Sequence, residues 1–269
     1  MANQIHSTAI LGPEVKLGDN IVIGPYAVIE GDVNLGDGTE VGAHAVVSGF
    51  SKIGKNNRIF PHAAIGLDPQ DKKHQRGAKT FLEIGDNNIF REFCTVHRGT
   101  VEGGGVTRIG NDNLFMAYAH AAHDCRIGHG CVFANAATLA GHVTVEDRAI
   151  IGGLVGVHQF CRVGTQVMIG GCSRVTQDVP PYALCVGTPA LIYNLNAVGL
   201  RRSGMSASGM KPLKEAFRIM FHSGLAKNNA IEQVEKEIEL TPEVRNLVDF
   251  AKASERGLCG SAKEPSSGE

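Results

Sequence analysis

Leu11-Gly12-Pro13-Glu14-Val15-Lys16, Leu17-Gly18-Asp19-Asn20-Ile21-Val22 and Ile23-Gly24-Pro25-Tyr26-Ala27-Val28 are three consecutive six-residue units, each opening on an aliphatic residue followed by glycine. Reading outward at the same spacing, the aliphatic column runs unbroken from Ile5 to Ile65. It resumes one step out of register at Ile84, Phe90 and Val96, and again from Ile109 to Val175. A hexad of this kind is one short strand plus a tight corner, where Asn, Asp or Gly tolerates left-handed backbone. Three hexads close a triangular coil, so residue i+18 lies above residue i at about the inter-strand spacing of 4.8 Å. Self-similarity at this period predicts a mainly β protein, a parallel β-helix of hexapeptide repeats.

Composition agrees with a narrow, repetitive interior. The 269 residues include 34 glycines and no tryptophan, and few large side chains are available to fill a wide core. A formal net charge of −1 gives no general attraction to nucleic acid or to an anionic membrane, so neither is expected as a partner. No apolar run reaches the roughly 20 residues of a transmembrane segment, and Met1 to His6 lack a charged region followed by an apolar one. A cytoplasmic location follows as an expectation. Seven cysteines without C-x-x-C spacing argue against a disulfide framework or zinc knuckle, and most read as small core residues.

The two register breaks mark external loops near 66–80 and 98–107. The first is polar, from Gly66 through Asp68-Pro69-Gln70-Asp71-Lys72-Lys73 to Gly77, and the second contains Gly103-Gly104-Gly105. The β-helix is assigned to 1–186. Beyond Val179-Pro180-Pro181 the period becomes helical: Leu213, Phe217, Met220 and Phe221 form one stripe, Ile231, Val234 and Ile238 a second. Thr241-Pro242 supplies an N-cap and first-turn proline for a third helix. A C-terminal α-helical domain is therefore placed at 190–258, with 260–269 as a flexible tail.

Histidines are the clearest departure from a plain prism. His120, His123, His142 and His158 fall within three coils and none lies on the aliphatic column. The stacking rule puts His123 under Gly141, with His142 one residue along in the next coil. Acyl transfer to a hydroxyl needs a base near neutral pKa and a donor for the oxyanion. His123 suits the first role, Asp124 can orient it if a corner brings the two side chains together, and the Gly141 N–H suits the second. Metal catalysis is not expected. Three converging ligands are required, and the His120 to His123 spacing is not the i, i+5 pair of zinc-dependent hexapeptide β-helices. Cys125 reads as buried filler rather than as a nucleophile.

Ala119-His120-Ala121-Ala122-His123-Asp124-Cys125, Leu139-Ala140-Gly141-His142-Val143, Val157-His158-Gln159-Phe160-Cys161, Thr95-Val96-His97-Arg98-Gly99-Thr100 and Gly170-Gly171-Cys172-Ser173 together resemble the acyl-carrier-protein-dependent UDP-N-acetylglucosamine O-acyltransferases of lipid A biosynthesis. The resemblance covers nearly the whole chain, including the helical C-terminal domain. It implies a left-handed coil, which spacing alone does not fix. It implies transfer of a 3-hydroxyacyl chain from acyl carrier protein to the sugar 3-hydroxyl, with His123 as base, Asp124 supporting it and Gly141 at the oxyanion. No cofactor is implied beyond the phosphopantetheine-linked acyl chain that the carrier brings. Substrate contacts are implied at Asp71, Lys73, His97, His120, His142, His158, Gln159 and Asn196. Arg201 and Arg202, in Gly199-Leu200-Arg201-Arg202-Ser203-Gly204, are implied as ligands of the nucleotide diphosphate and carrier protein, and Gly171 as the residue that sets acyl length. The family works as a homotrimer with sites between subunits, and a polar histidine row on one face of a prism is consistent with that. A non-catalytic β-helix that holds a partner on the same face is the competing reading.

Overall fold

The computed structural model describes residues 2–75 and 77–262. Among them, three sheets form the sides of a prism, with eleven strands on a first face, nine on a second and eight on a third. The chain visits the faces in turn, one short strand each, as at Gln4–Ile5, Ile10–Leu11 and Lys16–Leu17. Gln4 pairs with Val22, Ile10 with Val28 and Lys16 with Asn34, all parallel, which is the i+18 stacking expected. The register then jumps across each loop: Arg58 pairs with Ile89, and Ile89 with Leu114.

The aliphatic column is the core. From Ile23 to Val175 its members are buried, whereas Ile5 is 43% exposed because no coil lies beneath the first one. Burying each aliphatic side chain contributes about 2 kcal/mol. Phe90, Phe115 and Phe133 stack inside at 4.9 and 4.4 Å. A second inward row lies two residues before the column. It is small where the interior narrows, as at Ala27, Ala45, Ala63, Cys94, Ala119 and Ala137. Cys94, Cys125, Cys131 and Cys161 belong to such rows, as expected of small core residues. At one corner the row turns polar: Asn57, Asn88 and Asn113 are buried and laddered, Asn57 Oδ1 accepting from the Nδ2 and backbone N–H of Asn88, Asn88 Oδ1 from those of Asn113, and Asn113 Oδ1 from the Cys131 N–H. Repetition of one side chain at one height satisfies every buried polar group in the stack.

The top of the prism departs from the assigned boundaries. Ala183–Val186 still adds in parallel to Met168–Ile169, but Leu191–Leu195 then returns antiparallel along it. The helical unit therefore begins later than 190, at α1 (Ala197–Arg202), a short helix that periodicity did not reveal. α2 (Met210–His222) and α3 (Lys227–Glu237) carry the two apolar stripes, and α4 (Pro242–Lys252) starts as read, with Thr241 Oγ1 accepting the Val244 N–H. The tail also begins later than 260. Gly260 O accepts the Ile192 N–H and Ala262 N–H donates to Ile192 O, so these residues extend the sheet; the rest of the assigned tail lies outside the described residues.

Candidate functional site

Both loops leave the same edge of the prism. Each follows a second-face strand (Ala64–Leu67, Thr95–His97) and precedes a third-face strand (Phe81–Ile84, Val106–Ile109). On the next coil that edge is the corner between His120–Ala121 and Arg126–Ile127, where His123 and Asp124 sit. The loops are thus delivered to the histidines by register. Buried Arg98 anchors the first loop, donating to Gly66 O at 2.9 Å and pairing with Asp68. Lys73 Nζ lies 3.4 Å from Glu102 Oε2 and links the two loops.

The corner solves the facing problem that alternation poses. Asp124 takes φ +59°, a left-handed conformation, and its N–H donates to Thr107 Oγ1 at 2.8 Å. This turn brings Asp124 Oδ2 to 2.9 Å from His123 Nδ1. The carboxylate only accepts, so Nδ1 carries the proton and Nε2 is left basic. Burial pushes the Asp124 carboxyl upward, but hydrogen bonds from His123 and Thr100 outweigh it and hold the pKa below its ordinary value. Asp124 is therefore a buried anion ready to support an imidazolium.

Gly141 lies against the His123 ring so closely that a Cβ there would overlap it. Among the described residues its N–H finds no acceptor, so it is free to serve an oxyanion. His142 stacks on Phe160 at 4.5 Å and meets His123 edge-on at 5.1 Å, with Nε2 3.8 Å from Asp124 Oδ2. Burial holds the His142 pKa below its ordinary value. Gln70, Asp71, Lys72, Lys73, Thr100, Glu102, Gly103, His123, His142, Gln159 and Phe160 line a cleft of about 810 Å³. Asp71, Lys73, His142 and Gln159 thus line the same cleft as His123. Cys125 is excluded as a nucleophile because burial pushes its thiol up to about 12.

Other expected contacts are placed differently. His97 does not line the cleft: it is 4% exposed and lies edge-on to His120 at 4.9 Å, beside a bulge at Gly66 of the neighbouring strand, which falls between the Ile65–Val96 and Leu67–His97 pairs. Burial and the neighbouring His120 and His123 lower its pKa to about 4, so it is a neutral imidazole packed beside His120. His120 itself meets Thr95 Oγ1 at 2.6 Å and is lowered mainly by burial. His158 is exposed and lies 3.1 Å from the neighbouring Gln159 carbonyl, outside the cleft lining.

Asn196 and Arg202 line a second groove, on the first face, with Val132, Ile150 and Met168. Asn196 caps α1 by accepting from Gly199 N–H and donates to Gln166 O, so much of its hydrogen-bonding capacity is structural. Arg201 is exposed and does not line that groove. Gly171 is exposed at a different corner, stacked on Gly153, where a Cβ would stand 3.2 Å from the Gly153 carbonyl. Its φ is not positive, so the close approach of the Gly153 carbonyl rather than backbone conformation is what favours glycine there.

Sequence reasoning missed Thr100, Thr107, Gly103 and Phe160. Phe160 was available from stacking, since Asp124, His142 and Phe160 follow one another at the repeat, and Thr107 occupies the second inward row. Thr100 and Gly103 lie in an insertion, where no register exists to place them. One further property emerges only in three dimensions. His123, Asp124 and His142 have ligand atoms within 4.8 Å of one another and are the group among the described residues able to hold a metal ion.

Comparison with known proteins agrees with this architecture. The family model described as "Udp N-acetylglucosamine O-acyltransferase; Domain 2" matches residues 178–259, and that described as "Bacterial transferase hexapeptide (six repeats)" matches 14–49 and 106–141. The acyl-(acyl-carrier-protein)–UDP-N-acetylglucosamine O-acyltransferase of Thiobacillus denitrificans is 52% identical over 94% of this chain and 98% of its own. Among solved structures, LpxA from Acinetobacter baumannii superposes with a TM-score of 0.92 at 44% identity, covering 95% of this chain and 99% of that one. The UDP-N-acetylglucosamine O-acyltransferase of Moraxella catarrhalis gives 0.91 at 43%, covering 94% and 98%. The architecture is the left-handed parallel β-helix with a C-terminal helical unit. With identities of this size over nearly full length, the chain belongs to the acyl-(acyl-carrier-protein)–UDP-N-acetylglucosamine O-acyltransferase family.

Proposed function

We propose that this protein transfers a (R)-3-hydroxyacyl chain from acyl carrier protein to the 3-hydroxyl of UDP-N-acetylglucosamine, the first step of lipid A biosynthesis. The observation that carries the reading is the His123–Asp124 pair, with His123 lining the cleft and its ring packed against Gly141, whose N–H has no acceptor among the described residues. His123 Nε2 removes the proton from the sugar hydroxyl as its oxygen bonds to the thioester carbonyl carbon. Gly141 N–H donates to the resulting oxyanion. The intermediate collapses with cleavage of the carbon–sulfur bond, and the imidazolium returns its proton to the departing carrier thiolate. The base contributes roughly 10²- to 10⁴-fold and the oxyanion donor roughly 10²- to 10³-fold. Atoms and charge balance without a bound cofactor or metal, with His142 acting as a substrate contact beside His120, Gln159, Asp71 and Lys73.

The working unit in this reading is a homotrimer. The His123 cleft and the Arg202 groove lie on different faces of one prism, and the first face carries an outward apolar row, Ile89, Leu114, Val132, Ile150, Met168 and Leu184. Apposing the cleft of one subunit to the groove of its neighbour covers that row and sets the Arg202 guanidinium opposite the base, where bidentate contact with a diphosphate is favoured. Among the described residues no helix is long and apolar enough to cross a membrane. All seven cysteines are free thiols, which suits the cytoplasm.

Incubation of purified protein with UDP-N-acetylglucosamine and a 3-hydroxyacyl carrier protein is expected to yield O-acylated nucleotide sugar by mass spectrometry, undiminished by a chelator. Absence of product would leave the binding-module reading. Loss of activity to the chelator would transfer the role of His123, Asp124 and His142 to metal binding.

A further inference from the structure

We propose that Thr100 is a positioning residue for the transfer, holding and polarising the Asp124 carboxylate so that the second loop is part of the catalytic apparatus and not only a wall of the cleft. The inference rests on His123 being the base. The Thr100 hydroxyl donates to Asp124 Oδ2 at 2.6 Å, the same oxygen that lies 2.9 Å from His123 Nδ1. The Thr100 N–H reaches both carboxylate oxygens, at 3.0 and 3.1 Å. Gly103 N–H donates to Thr100 Oγ1 at 3.1 Å, which occupies a hydroxyl lone pair and leaves the hydroxyl proton directed at Asp124. Thr100 is 6% exposed and the Asp124 side chain 1%, so water has no ready access to replace this bond.

Charge drawn from Oδ2 by the hydroxyl is charge that the His123 imidazolium cannot use. Thr100 therefore fixes the direction of the Asp124–His123 bond and moderates its strength. The other groups facing the pair are His97 and His120 from the second face, His142 from the next coil, Asp71 and Lys73 from the first loop and Glu102 from the second. None of these donates a hydrogen bond to Asp124 within 3.5 Å among the described residues.

Thr100→Val removes the hydroxyl and keeps the backbone donor; Thr100→Ser restores the hydroxyl. In Thr100→Val, kcat is expected to fall about tenfold with little change in KM for the nucleotide sugar, corresponding to about 1.4 kcal/mol. The acidic limb of the kcat/KM profile should move to higher pH, because an unmoderated carboxylate holds the imidazolium proton more tightly. Thr100→Ser should recover both. A Thr100→Val enzyme with normal kcat and an unmoved limb overturns the inference, as does a fall in kcat that Ser does not rescue or that leaves the limb in place. His123→Ala is assayed alongside: normal turnover in that variant removes the base itself, whereas an inactive His123→Ala beside a normal Thr100→Val removes only the role of Thr100.

Discussion

His123 and Asp124 are neighbours whose side chains meet because Asp124 adopts φ +59° at a corner, with its N–H tied to Thr107. Gly141 shows the complementary constraint, since its missing side chain is the space that the His123 ring fills. Gly141→Ala is expected to displace the ring and lower kcat by about 10²-fold or more while leaving the thermal midpoint nearly unchanged, as checked by steady-state assay and calorimetry. His97 makes a separate, pH-dependent prediction. Its pKa falls from 6.5 in the open chain to about 4 when folded, so the unfolded state binds the proton first and stability is lost as pH drops between those values. Unfolding free energy should decrease by about 2 kcal/mol from this group between pH 7 and pH 5. His97→Asn should flatten that slope in urea titrations at the two pH values. The closeness of His123 to Gly141 was legible in the sequence because stacking set one against the other. The burial of His97 was not, because it stands where the two insertions begin and the repeat no longer describes what covers an outward side chain.

Short strands carry the structure by repetition, so the consequences of a change depend on which row it falls in. The outer column was readable at a period of six. The row two positions earlier was not singled out, since its members range from alanine to cysteine to asparagine and share only small size and burial. Asn57, Asn88 and Asn113 are where that row does more than fill space. Asn88→Ala leaves the Asn113 side-chain and backbone donors without their acceptor in a closed interior. It should cost about 2–3 kcal/mol in denaturant unfolding, with kcat of the folded enzyme preserved because the ladder stands at another corner from His123. The loops are the reverse case. Their positions could be read from the two register breaks, but their internal contacts, Arg98 to Gly66 and Asp68 and Thr100 to Asp124, follow no period.

At the scale of the molecule, one arithmetic rule places the chemistry. Insertions at two successive coils fall on the same edge, so the loops stand together beside the corner that bears His123, and the cleft forms where they meet the prism. The helical unit sits at the far end with Arg202 lining a groove on another face, and only the homotrimer proposed above would bring the two into one site. The boundary near 190 was displaced because Leu191–Leu195 folds back on the sheet before α1 begins, an antiparallel addition that the hexad count does not describe. The central claim is that the register-placed imidazole is the base. The most direct measurement is kcat of His123→Ala with UDP-N-acetylglucosamine and 3-hydroxyacyl carrier protein, with nucleotide-sugar binding followed by calorimetry on the same sample. Turnover should drop by at least about 10²-fold with binding and fold retained; turnover within a few-fold of the unmodified enzyme would contradict it.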